Sequence, residues 1–220
     1  MPRFFRDNGL TIVLLLLFAL SLVGQWLTGW AHENEELARH GRATITALAF
    51  LSDEEFLATV FENWESEFLQ MSAYVVLTAM LFQRGSAESK DPDAPPRDSN
   101  LADQGLRPGA PGMLSAGQLP RWLYAHSLGL VLFALFVASF LLHWRHSALA
   151  ADQEALMHGE AAKGVLAYLG DPQLWFESFQ NWQSEFLSTA VLVVLSIFLR
   201  QRESPESKAV AAPHGATGAA

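Results

Sequence analysis

Residues 63–69 read NWESEFL, and residues 181–187 read NWQSEFL. A second pair follows at the same interval: residues 83–90 read QRGSAESK and residues 201–208 read QRESPESK. One shift of 118 positions superposes both pairs and runs without a gap from about Leu10 to Lys90, with roughly 30 of about 83 positions identical. Each copy must then build the same supersecondary unit.

Half of the 220 residues are apolar, and they are not spread evenly. They gather in four dense blocks at 10–24, 68–82, 128–142 and 186–199. A hydrocarbon slab about 30 Å thick needs about 20 helical residues. The flanks supply the missing length: Trp26, Trp30, Trp64, Trp144 and Trp182 stand at block edges as an interfacial belt would. Arg84, Arg200 and Arg202 can snorkel at the opposite edges. Four blocks flanked in this way argue against buried helices of a soluble protein. Arg3 and Arg6 precede the first block as in a signal peptide, but no small-residue cleavage pattern follows, and its counterpart at 128–142 lies mid-chain. The first block therefore reads as a retained span.

The expected fold is an all-α membrane protein with four transmembrane helices arranged as two tandem hairpins. Repeat 1 occupies residues 1–84, with spans at about 10–30 and 63–83. Repeat 2 occupies 121–202, with spans at about 123–145 and 181–201. The Pro-, Gly- and Asp-rich segment 85–120 reads as a disordered cytoplasmic linker, and 203–220 as a similar tail. In this arrangement ten of the fourteen Lys and Arg lie on the side of the termini. Both termini are therefore expected in the cytoplasm, and the setting is the plasma membrane.

Each hairpin should project beyond the membrane. The first helix continues through HENEELARHG to Gly41, a candidate left-handed C′ residue, and the second copy ends alike at His158-Gly159. The returning helix starts at Asp171-Pro172, an N-cap with proline at N1, and at Asp53 in repeat 1. Run on to Arg84 or Arg202, it would hold about 31 residues and span about 46 Å at 1.5 Å per residue, about 16 Å more than the bilayer core. The excess forms an extracytoplasmic helical stub. Phe56, Leu57, Val60, Phe61 and Trp64 give it an apolar face, with Glu55, Glu62 and Glu65 on the other.

A polar stripe on this helix is the candidate site. Asn63, Ser66, Glu67 and Gln70 share one face, and repeat 2 supplies Asn181, Ser184, Glu185 and Ser188. A carboxylate within the membrane needs donors. In a hairpin centred near residue 46, Glu67 lies level with Gln25 and Glu185 level with His143, so these two are the expected partners. A structural reading, in which the stripe only holds helices in register, stands beside the functional one. His143 and His146 are spaced as helical metal ligands can be, but their counterparts are Gln25 and Thr28, so no metal is assigned. The QRxSxESK segments read either as helix termination or as a docking or phosphorylation element.

The chain has no cysteine, which removes disulfides, thiol catalysis and thiolate metal sites. A net charge of −9 argues against nucleic acid as a partner. No catalytic motif and no cofactor-binding motif occurs. The expected partners are the bilayer and either a second copy or another membrane protein. At NWESEFLQ with the span after it, at QRGSAESKDPD and at the FFRDNGL…SLVGQ opening, the chain resembles a family of uncharacterised bacterial multi-pass membrane proteins, a domain of unknown function. The likeness covers most of residues 3–208. It implies a bacterial envelope setting and brings no activity and no catalytic residues. A structural or interaction role is thus the leading expectation. The alternative is a small ion- or proton-coupled transporter or channel using Glu67 and Glu185. Mostly apolar midplanes favour the first.

Overall fold

The computed structural model describes residues 3–218. Among these residues 67% are helical and none is in a strand, in keeping with an all-α fold. The helices are α1 (Arg3–Arg39), α2 (Ala47–Phe50), α3 (Glu54–Met80), α4 (Leu101–Gln104), α5 (Gln118–Ala125), α6 (Ser127–Met157), α7 (Val165–Tyr168) and α8 (Pro172–Phe198), with a 3-10 turn at Gly112–Leu114. Among the described residues, two helices, α1 and α6, are long and apolar enough to cross a membrane. The polar NWxSEFL stretches lower the apolar content of α3 and α8.

The chain packs as two compact units, each drawing on both repeats. One holds the chain through Val60 together with His143–Tyr168; the other holds Phe61–Leu142 and the chain from Leu169 onward.

In the first unit, α1 closes as its sequence signals require. Gly41 takes φ +68°, Gly41 N–H donates to Ala38 O and Arg42 N–H to Leu37 O, which is the Schellman ending. The end of α6 repeats it, with Gly159 at φ +75° and Glu160 N–H on Ala155 O. Each ending leads into a connector with a one-turn helix, α2 or α7. Indoles hold these connectors: Trp26 Nε1 donates to Ala47 O at 2.7 Å, and its counterpart Trp144 donates to Val165 O at 2.9 Å. Trp30 adds a bond to Ile45 O at 2.8 Å. Below them, Asn34 brackets Ile45 through both backbone groups, and its counterpart Asp152 accepts from Lys163 N and Gly164 N. These tryptophans therefore satisfy their part-buried indole donors within the protein. Phe50 on α2 is 4% exposed, its ring centroid 5.2 Å from that of Phe56. It lies so close to α1 that a Cβ on Gly29 would sit 3.0 Å from the ring. Thus the connector is a folded turn packed on Phe56 and α1, not loose chain. Along α1 no residue is buried.

In the second unit, an aromatic ladder joins α6 to α8. Phe136 meets Trp182 at 6.3 Å between centroids, Phe140 meets Trp175 at 5.9 Å, and Phe179 stands edge-on to Trp182 at 5.3 Å. Asp171 caps α8 through Gln173 N–H at 3.0 Å. The ends differ from expectation. The sequence carries α3 and α8 on to Arg84 and Arg202, yet they stop at Met80 and Phe198. The reason is a competing local structure: the amides of Gln83 and Gln201 are taken by Ser89 and Ser207 hydroxyls, each at 2.9 Å, so the chain turns where it was expected to continue.

Candidate functional site

The NWxSEFL stripe lies on α3 and α8. Three of its serines bond their own helix: Ser66 Oγ donates to Asn63 O at 2.9 Å, Ser184 to Asn181 O at 2.8 Å and Ser188 to Glu185 O at 2.9 Å. They are spent on backbone and hold no partner in place. Four further members, Gln70, Asn181, Glu67 and Glu185, reach across. Asn181 Nδ2 donates to Glu62 Oε1 at 2.6 Å, and Gln70 Nε2 donates to Thr189 Oγ1. Glu67 and Glu185, the counterpart carboxyls, lie beside one another.

The expected partners of the stripe lie on α1 and α6. Gln25 donates to Thr59 Oγ1 at 3.2 Å within its own unit. His143 is fully buried, in the same unit as Gln25. The level argument fixes depth but not rotation about the helix axis, and rotation decides who touches whom.

Sequence reasoning missed Glu65. It assigns Glu65 to the water-facing side of the stub, yet Glu65 is 0% exposed while Glu67 is exposed. Trp182 Nε1 donates to Glu65 Oε1 at 2.9 Å. The signal that could have found it is the tryptophan itself, since an indole N–H buried on an apolar helix needs an acceptor. His146, offered above as a helical neighbour of His143, meets Glu54 through Nδ1.

The QRxSxESK segments are folded, and both fold alike. In the first, Ser86 N–H donates to Gln83 O at 3.1 Å and Glu88 N–H to Ser86 Oγ at 3.1 Å; Ser89 Oγ, bonded to the Gln83 amide, also donates to Lys90 O at 3.0 Å. In the second, Ser204 N–H, Glu206 N–H and Ser207 Oγ make the same bonds at 3.2, 3.2 and 3.0 Å. Even the left-handed residue recurs: Gly85 at φ +88° and its counterpart Glu203 at φ +65°. The motif's recurrence thus has a physical content, because each Ser and each turn position has a bond to make.

The two segments also meet. Glu88 lies beside Glu206, its counterpart, and accepts from Tyr74 Oη at 2.9 Å. Burial pushes the Glu88 carboxyl above its ordinary range; the Tyr74 hydroxyl pulls it down and the neighbouring Glu206 pushes it further up. Ser86 and Ser196 hydroxyls lie 2.8 Å apart. Lys208 is 1% exposed, its ammonium surrounded by the carbonyls of Gly85, His214 and Ala216, the last two at 2.8 and 2.9 Å. Burial, with Arg200 nearby, lowers its affinity for the proton. Residues 214–218, expected to be free tail, therefore lie against the first segment, with Gly218 N–H on Ser86 O at 2.9 Å and Gly85 N–H on Thr217 Oγ1 at 2.9 Å.

The chain belongs to the family described as "Domain of unknown function (DUF6766)", whose model matches residues 1–219. No curated protein and no solved structure matches it.

Proposed function

We propose that this DUF6766 chain is a four-span protein of a bacterial plasma membrane, with both termini in the cytoplasm and a structural or interaction role. The observation that carries the reading is α1: long and apolar enough to cross a membrane, and without a buried residue along its 37 residues. Such a surface needs lipid or a partner to cover it. In this reading α3 and α8 are the second and fourth spans. Their polar stretches are tolerated because Glu65, Asn181 and Gln70 are hydrogen-bonded to protein groups. Two contacts join a residue to its own counterpart, Glu67 to Glu185 and Glu88 to Glu206. A contact of that kind fits a parallel repeat whose two copies are related by a two-fold axis along the membrane normal. Cysteine labelling in intact cells tests the topology, on a chain with no cysteine of its own. A Cys at Ser99 should resist impermeant thiol reagents and a Cys at Arg42 should react. The reverse pattern overturns the orientation.

One observation favours a second reading, proton-coupled transport. The repeat-related carboxyls of Glu67 and Glu185 lie beside one another at a position expected to lie a few ångströms inside the membrane. Reconstituted into proteoliposomes, the wild type would then carry a proton flux that Glu67→Gln/Glu185→Gln abolishes. Equal, background-level leak in both leaves the structural reading alone.

A further inference from the structure

Helix α5 is built and braced by its own neighbours in the chain. Gly117, at φ +119°, turns the chain into it, and Pro120 falls in its first turn, where a missing N–H costs nothing. Eight helical residues are marginal alone. These are held by the 3-10 turn before them: Arg121 Nε donates to Leu114 O at 2.7 Å, and Leu114 is buried. Gly105, at the end of α4, packs on the same turn so closely that a Cβ there would sit 2.8 Å from Leu114 Cβ.

Bracing one face leaves the other open. Leu119, Trp122, Leu123 and His126 recur at i, i+3, i+4 and i+7, a single stripe about half a turn away from Arg121. The three apolar members are all exposed, and His126 stacks on Trp122 with ring centroids 4.8 Å apart. At His126 the backbone leaves helical geometry, with φ −114° and ψ 6°, and α6 begins at Ser127. Unbroken helix would only have lengthened an apolar span; the break makes α5 a separate helix at the mouth of α6. The charge changes here as well. The chain carries a net charge of −9, yet residues 104–151 contain no Asp or Glu. Between α4 and α6 the Lys and Arg residues are Arg107 and Arg121.

We propose that α5 is a membrane-surface anchor. It lies in the headgroup layer of an anionic bilayer, with Leu119, Trp122 and Leu123 at the acyl boundary and Arg107 and Arg121 serving the phosphates. The inference rests on reading α6 as a span and goes beyond it, since it assigns lipid contact to a helix outside the spans. In the orientation proposed above, the leaflet is the cytoplasmic one, which is anionic and attracts Arg close to its surface. The indole of Trp122 and the exposed phenol of Tyr124 have one apolar end and one polar end, the chemistry of that layer. So short a helix would bind a bilayer weakly by itself. Joined to α6 through His126, it meets the surface at high effective concentration. A second copy is the poorer occupant, because so few side chains fall well short of the roughly 800 Å² per partner of a standard interface.

Nitroxide labels test the anchor on the full chain in phosphatidylglycerol nanodiscs, since the chain has no cysteine of its own. They are placed singly through Leu123→Cys on the stripe, Leu135→Cys on the exposed surface of α6 and Ser99→Cys upstream. The ratio of accessibility to oxygen over accessibility to a water-soluble nickel chelate reads depth. The ratio at 123 should be several-fold above that at 99 and below that at 135. Phosphatidylcholine discs, or Arg107→Gln, should lower it. Leu119→Gln/Trp122→Gln should bring it down to the value at 99 and leave 135 unchanged. A label at 123 as wet as the one at 99, with 135 in lipid, overturns the anchor and leaves the span standing. If 135 is wet too, the span reading fails and the anchor with it. A label at 123 shielded from both reagents, with spin–spin broadening that unlabelled chain dilutes away, puts a second copy on α5 and overturns the anchor. Equal ratios in the two lipids overturn the role given to the arginines.

Discussion

The bond between Glu65 and Trp182 carries the sharpest quantitative prediction. Glu65 is 0% exposed and accepts the indole N–H of the half-buried Trp182 at 2.9 Å, so the carboxyl has no water to fall back on. A hydrogen bond to a charged group contributes about 1.5–3 kcal/mol, and leaving a buried donor or acceptor unpaired costs about 1–3 kcal/mol. Trp182→Phe removes the donor and trims part of an indole that packs on Phe136 and Phe179. The expected loss is about 2–4 kcal/mol, of which roughly 1 kcal/mol is lost apolar area. Glu65→Leu removes the acceptor and should cost about 1–3 kcal/mol, while Glu65→Gln keeps a carbonyl oxygen at the same place and should cost less than about 1 kcal/mol. The double variant Trp182→Phe/Glu65→Leu discards both polar partners together. It should therefore lose less than the sum of the singles by about 1.5–3 kcal/mol, and this coupling isolates the bond from the packing. Reversible unfolding in mixed micelles, followed by Trp-independent far-UV circular dichroism, gives all four corners of the cycle. A coupling under about 0.3 kcal/mol, or Glu65→Gln as damaging as Glu65→Leu, refutes the reasoning.

Counterpart positions should respond with opposite signs. Gly85→Ala puts a Cβ at φ +88° within 3.0 Å of His214 O and should destabilise by about 1–3 kcal/mol, whereas Glu203→Gly relieves a left-handed side-chain residue and should stabilise by up to about 1 kcal/mol, both read in the same micelle assay. Trp26→Phe and Trp144→Phe each remove one indole bond to a connector carbonyl; each should cost about 1 kcal/mol and speed amide exchange in its own connector only. Two acids on α1 and α3 should make the first unit weaker at higher pH. Burial holds Glu33 and Glu55 above their ordinary range, Asp53 pushes both further, Glu33 and Glu36 add to this, and His32 opposes it. Their contribution is thus fully present below about pH 4.3 and is lost as pH rises through the raised values. Protection of the α1 end and the α3 start should drop from pH 5 to pH 8, and Glu55→Gln should flatten that drop; an unchanged profile would count against the burial.

The sequence by itself determined what neighbours along the chain can determine. Gly41 and Gly159 end helices because only an unhindered φ > 0 completes the Schellman bonds, and Asp53 and Asp171 begin helices because a short carboxylate reaches an amide two residues on. The apolar blocks, the all-α class and the matched motifs were likewise legible, since they rest on composition and on periods read within one segment. Which side chains meet across helices was decided only by the tertiary structure. Glu65 and Glu67 are two residues apart, which on a helix of 3.6 residues per turn is about 200° of rotation, so they point to opposite faces and an assumed facing half a turn out exchanges the buried carboxylate for the exposed one. The depth sum that matched Gln25 to Glu67 carries no information about rotation, and Gln25 is bonded to Thr59. The QRxSxESK segments show the same division. Polar, Gly-containing composition reads as free chain because it offers no apolar face to bury. What folds them is a set of serine-to-amide bonds and a lysine caged by carbonyls from residues far along the chain, and composition cannot count bonds that exist only once distant segments have been brought together.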